Sequence, residues 1–121
     1  MNSITIRLTL PPAAVKPNAR FHWSKKAKET KAYRRESWGD CVWQIKSPPP
    51  RWKKATFKAV AYFPTLRFPD PDNFIASLKA ALDGIIDAGI VANDKDLWPL
   101  RPEFHKDAKS PRVEITITEE P

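Results

Sequence analysis

Asp70 and Asp72 flank Pro71, Asp94 follows the run from Asn73 to Asn93, and Lys79 lies between them. These are oxygen donors with no His or Cys among them, a set that suits a hard cation. Mg²⁺ is ordinarily held by a few carboxylates, with water and substrate phosphate completing its shell. An ion in such a site polarises a phosphodiester and makes hydroxide from bound water, which is the chemistry of metal-dependent nucleases. Lys79 comes seven residues after Asp72, about two turns along a regular helix and on nearly the same face. There its ammonium could stabilise charge on a phosphorane or a leaving group.

Each residue also has a plainer role. Asp70 or Asp72 can cap a helix against its dipole, although one aspartate would be enough. Asp83 and Asp87 read as solvated partners of Lys79, and Asp94 and Asp96 as turn acids. On residue types alone, both readings stand.

The distribution of charge bears on the choice. The 121 residues carry a net charge of +7, with 15 Lys and Arg against 3 Asp and Glu in residues 1–69, and 6 against 11 in residues 70–121. Such segregation suggests a polyanion-binding surface beside a separate acidic site. Arg20, Lys25, Lys26, Lys28, Lys31, Arg34 and Arg35, with Lys53 and Lys54 further on, would neutralise phosphates without reading sequence. Phe21, Trp23 and Trp52 lie beside these cations and could stack on unpaired bases, whereas Trp38 and Trp43 read as core residues. His22 reads as a structural loop histidine, and Cys41 as a small buried hydrophobe.

The elements that must position these residues follow from periodicity. Ile4, Ile6, Leu8 and Leu10 alternate as a half-buried strand ended by Pro11 and Pro12. From about Ser24, taken as the N-cap, the pattern becomes helical, with Ala27, Tyr33, Trp38, Val42 and Ile45 as its buried positions. Prolines 48–50 end that helix. Ala55, Phe57, Ala59, Ala61 and Phe63 give a second strand. A second helix starts at Asp70 or Asp72, with Phe74, Leu78, Leu82, Ile85 and Ile86 as its apolar stripe and Gly89 as its cap. Leu97 to His105 reads as a weak strand that turns at residues 106–111 into a last strand through Val113, Ile115 and Ile117. The expected fold is α+β, in the order β-α-β-α-β-β, with two helices packed on a mixed sheet in a single domain over 1–121. One cysteine excludes an internal disulfide and, with two histidines, a structural zinc site of the usual kind. The alternating, Arg7-containing N-terminus is neither signal peptide nor membrane span, so a reducing cytoplasm is the expected setting.

The stretch "DPDNFIASLKAALDGIIDAGIVANDKDL" resembles the motif region of the RusA-like Holliday junction resolvases. They share an Asp-x-Asp-Asn start, a lysine on the following helix and a further acid soon after its end. "PPAAVKPNARFHW", "KAYRR" and "RVEITITE" are similar as well, so the likeness covers most of the chain. Two departures stand out: Lys79 lies one turn later after Asn73 than in the best-known members, with Ala76 at the closer spacing. Asn93 occupies the place where an acid often precedes the last ligand. The resemblance implies that Asp70, Asp72 and Asp94 bind catalytic Mg²⁺, with Mn²⁺ as a possible substitute, and that Lys79 assists the chemistry. It implies a homodimer resolving four-way or branched DNA by paired hydrolysis, with no membrane and no small-molecule cofactor. The other expectations are a non-catalytic DNA- or RNA-binding module, or a nuclease acting on flaps or single strands.

Overall fold

Alternating apolar residues set one buried face on each long strand. The computed structural model describes residues 2–121. In β1 (Ser3–Leu8), Ile6 and Leu8 are buried while Thr5 and Arg7 are exposed. In β2 (Ala55–Phe63), Ala55, Phe57, Ala59 and Ala61 point into the core, and in β5 (Arg112–Glu119) Val113, Ile115 and Ile117 do. The class is α+β. Two short strands, β3 (Leu97–Pro99) and β4 (Glu103–Lys106), complete a mixed five-stranded sheet.

The order across the sheet corrects the expected terminal hairpin. β5 pairs antiparallel with both β1 and β2, whereas β3 and β4 both run parallel to β2 along its other side. The segment after β4 therefore passes over the end of β2 instead of turning back on its own strand. Asp107 N–H donates to Phe63 O at 2.8 Å as the chain leaves β4. Arg112 then holds the crossing, donating to Asp107 Oδ2 at 2.9 Å, to Ser110 O at 2.8 Å and to Glu114 Oε2 at 2.7 Å.

Three helices meet the buried face. α1 (Trp23–Gln44) is capped at His22, whose Nδ1 accepts from Ser24 N–H at 3.2 Å, so the cap falls two residues before the expected Ser24. Its buried stripe is Tyr33, Ser37 and Cys41 at i, i+4 spacing, not Ala27, Trp38 and Val42, which lie outside it. The reason is a close helix crossing. A Cβ built on Gly84 would stand 2.4 Å from Arg34 O and 2.8 Å from Ser37 Cβ, a separation that only small residues allow. The Ser37 hydroxyl donates to Ala81 O at 2.6 Å across this contact. The stripe facing the partner is thus the small-residue one, and the large Trp38 and Val42 turn outward. Burial pushes the Cys41 thiol up to about 12, as befits an inert core thiol.

The second expected helix is two helices, α2 (Pro71–Ser77) and α3 (Lys79–Asp87). The Ser77 hydroxyl donates to Phe74 O at 2.6 Å, and Leu78 N–H reaches back only to Ile75 O at 3.1 Å. A side-chain hydroxyl competing for a backbone carbonyl breaks the ladder there. Beyond α3, Gly89 takes φ +84°, the left-handed turn that glycine permits at a helix end. No described helix is long and apolar enough to cross a membrane.

Candidate functional site

Pro71 starts α2 at the position where a missing N–H costs nothing. Asp70 precedes it as the N-cap residue, yet its carboxylate makes no cap hydrogen bond. The plainer reading of Asp70 as a side-chain cap is therefore not what the structure shows. Asp72 follows in the first turn, exposed, where the helix dipole favours negative charge. Among the described residues, neither Asp70 nor Asp72 is paired with a cation, while Asp83, Asp87, Asp94, Glu103, Asp107 and Glu114 all hold arginines or lysines.

Lys79 opens α3 immediately after the break. Its Nζ donates to Asp83 Oδ1 at 2.7 Å and reaches Asp94 Oδ2 at 3.4 Å. The hydrogen bond to Asp83, with a smaller contribution from Asp94, raises the Lys79 pKa, so the ammonium stays charged. Asp94 begins a short 3-10 turn, Asp94–Asp96, after the last helix. The structure thus brings Lys79 to Asp94. Asp83 is the solvated partner of Lys79, but Asp87 pairs with Arg34 instead.

α2 stands between two hollows. On one side Asp70, Asn73 and Ser77 line a cavity of about 560 Å³. On the other, Ile75, Ala76, Lys79, Asp94 and Lys95 line one of about 380 Å³. At about 100° per residue, Asp72 falls between Ile75 and Ala76 on the wheel, on the Lys79 and Asp94 side. Asp70 opens to the opposite hollow. Consistent with this, no three His, Cys, Asp or Glu side chains among the described residues stand close enough together to hold a metal ion. The donor chemistry of Asp70, Asp72 and Asp94 suits a hard cation, but their positions do not close round one.

The basic half meets this region through α1. Trp23, Lys26, Thr30 and Lys31 line a hollow completed by Ala80 and Asp83 of α3. Asp83 is therefore shared between the cationic hollow and the Lys79–Asp94 contact. Trp23 is 76% exposed and free to stack, and Lys25 lies over the Phe21 ring at 4.9 Å. Arg20, Lys28 and Arg35 are exposed as well. Arg34 lines the same hollow but is already paired, holding Asp87 through two bonds of 2.7 and 2.9 Å that tie α1 to α3. Its hydrogen bond keeps the Asp87 carboxyl below the usual range.

Other expected contacts fall outside this surface. Trp52 is 8% exposed and its backbone N–H donates to Ile90 O at 2.9 Å, so it is a core residue and cannot stack on a base. Trp43, expected in the core, is 75% exposed. Lys53 and Lys54 follow Trp52, beside the far end of α3 from Lys79. Residue spacing missed Lys16, which with Asn18 and Arg67 rims the larger hollow beside Asp70. The signal available was only that "KPN" lies within "PPAAVKPNARFHW", the N-terminal part of the resemblance.

No family model matches the chain. It is 33% identical over 97 residues to an "uncharacterized protein" of Xylella fastidiosa (strain Temecula1), an alignment covering 73% of this chain. The chain spans 58% of the length of that relative.

Proposed function

We propose that this chain is a divalent-cation-dependent, structure-selective endodeoxyribonuclease acting on four-way or branched DNA in recombination and repair, as its resemblance to the RusA-like resolvases implies. One observation carries the reading. The cationic hollow of α1 continues, through Asp83, into the Lys79–Asp94 contact, so a phosphate backbone drawn to Lys26 and Lys31 runs beside the acidic site. The resemblance implies Asp70, Asp72 and Asp94 as the ligands of Mg²⁺ or Mn²⁺, which would supply Lewis acidity and an activated water. Asp70 nonetheless opens to the opposite side of α2 from Lys79 and Asp94, and the three do not close round an ion as arranged. Lys26, Lys28 and Lys31 attract the backbone, Trp23 offers a face to an unpaired base, and Lys79 presents a fixed positive charge to the phosphate undergoing attack. A four-way junction is near two-fold symmetric, so a homodimer would present one site to each of two opposed strands. The cytoplasm, where the lone thiol stays reduced, is the compartment this reading fits.

A second reading has its own support: the three carboxylates do not converge, which favours a DNA-binding module without catalysis. Incubation with a synthetic four-way junction, a flap and a matched linear duplex, each with and without Mg²⁺, separates the two. Mg²⁺-dependent symmetric cuts in the junction alone support the resolvase. Binding without cutting overturns it in favour of the module, and preference for the flap shifts the substrate.

A further inference from the structure

The larger hollow beside α2 has an apolar floor and a polar rim. The loop after β1 forms one wall and the loop from Pro64 to Pro69 the other, with α2 behind. On the floor Phe63 and Phe74 meet edge to face with ring centres 5.8 Å apart, and Phe68 lies 5.7 Å from Phe63 and is 40% exposed. Its volume of about 560 Å³ lies within the range of about 300–1,000 Å³ usual for small-molecule sites.

The rim carries Lys16, Asn18, Arg67 and Asn73. Among the described residues, none of these side chains has a hydrogen bond or ion pair within the chain. Arg67 contributes only its backbone N–H, to Thr65 Oγ1. Arg7, Arg34, Lys58, Lys79 and Arg112, by contrast, all hold carboxylates. Two free cations and two free amides around a patch of phenylalanine edges match one kind of ligand. Aromatic edges suit the face of a planar ring. Amides donate and accept, so they can bond a base edge of either sense, and cations make charge-assisted bonds to phosphate. Asp70 at the same rim opposes a second phosphate and so limits the ligand to one.

We infer that this hollow binds a single unpaired nucleotide, its base against Phe63 and Phe68 and its phosphate held by Lys16 and Arg67, on the Asp70 side of α2. The choice of nucleic acid rests on the proposed nuclease function; the site itself is tested by binding alone. Backbone amide shifts of the ¹⁵N-labelled full chain, without divalent cations, are followed as thymidine 5′-monophosphate, thymidine or inorganic phosphate is added. The nucleotide should shift amides in residues 10–18 and 63–73, and should bind about tenfold or more tighter than thymidine or phosphate. Lys16→Gln and Arg67→Gln, both at the solvent-facing rim, should each weaken it by about tenfold. Absent shifts, shifts confined to α1, or phosphate binding as tightly as the nucleotide would each overturn the site. A chain that cuts branched DNA but shows no such shifts sinks the pocket and keeps the nuclease. One that binds nucleotide here and cuts nothing does the reverse.

Discussion

Gly84→Ala places a methyl group in the crossing of α1 and α3. Its Cβ would lie 2.4 Å from Arg34 O, 2.8 Å from Ser37 Cβ and 2.9 Å from Trp38 N, against ordinary contacts of 3.4–4 Å. Two of these neighbours are backbone atoms, so relief requires α1 to move away from α3 by about an ångström. Overpacking of this kind costs about 1–3 kcal/mol, and separation strains or breaks the buried Ser37–Ala81 hydrogen bond, a further cost of about 1 kcal/mol. Alanine returns about 1 kcal/mol of helix propensity. The net expectation is a loss of about 1–3 kcal/mol, a melting point roughly 4–12 °C lower for a chain of this size. Gly39→Ala is the control, because its Cβ would meet nothing within 4 Å. In an otherwise regular stretch of α1, it should gain up to about 1 kcal/mol and melt a few degrees higher. Circular dichroism melts of the two variants give the answer. If Gly84→Ala is as stable as the wild type, the crossing is looser than these distances imply and the inward stripe of α1 is misassigned. Because α1 carries Lys26 and Lys31 while α3 carries Lys79, the same variant should also weaken junction binding in gel-shift titrations.

Under single-turnover conditions with saturating enzyme, Lys79→Ala should slow cleavage by about 10²–10³, while costing only about 0.3–0.5 kcal/mol of helix stability through the missing Asp83 pair; an unchanged rate would move the search for a catalytic cation to Arg67 or Lys95. Asp72→Asn should abolish cleavage but leave junction binding equal or tighter, since it removes a charge that repels phosphate, and full activity would remove Asp72 from the site. Replacing Lys25, Lys28 and Lys31 with Gln should flatten the log–log salt dependence of binding by about 0.9 for each phosphate no longer neutralised; an unchanged slope would turn this face of α1 away from DNA. Asp87 and Asp107 are held below their ordinary value of 3.8 by hydrogen bonds from Arg34 and Arg112. Their stabilisation is therefore complete above that value and lost as pH falls through their lowered native values. Melting points should drop below about pH 4, and Asp87→Asn with Asp107→Asn should flatten that decline.

Much of the fold can be read from period-2 and period-3.6 patterns, because burial on one face leaves them in the sequence. Ile6 and Leu8, Ala55 to Ala61 and Val113 to Ile117 occupy the faces that alternation assigns them. What is not legible depends on contacts distant in sequence. The rotation of α1 follows from Gly84, more than forty positions from Ser37, and a stripe of Tyr33, Ser37 and Cys41 carries little apolar signal. The break at Leu78 needs a hydroxyl to take a carbonyl in preference to an N–H. The placement of β5 follows from its pairing with both β1 and β2, partners distant in sequence that no hairpin pattern encodes.

The acidic site divides the same way. The residue types at 70, 72, 79 and 94 are what suggest a hard-cation site, and of these Lys79 meets Asp94. The split of Asp70 and Asp72 to opposite sides of α2 follows from their two-residue spacing, about 200° on a helix. What the pattern does not carry is the break after Ser77 that resets the direction of Lys79. The pairing pattern adds one more step. Asp83 and Asp87 are neutralised by Lys79 and Arg34, yet among the described residues Asp70 and Asp72 hold no cation, in a chain with 21 Lys and Arg. Two like charges flanking Pro71 repel each other and gain nothing from the cap they could have made. Stability alone would favour a neutral residue at one of the two positions. A counter-charge from outside the chain would relieve that repulsion, and this is why the proposed ligands are phosphates and the cations that accompany them.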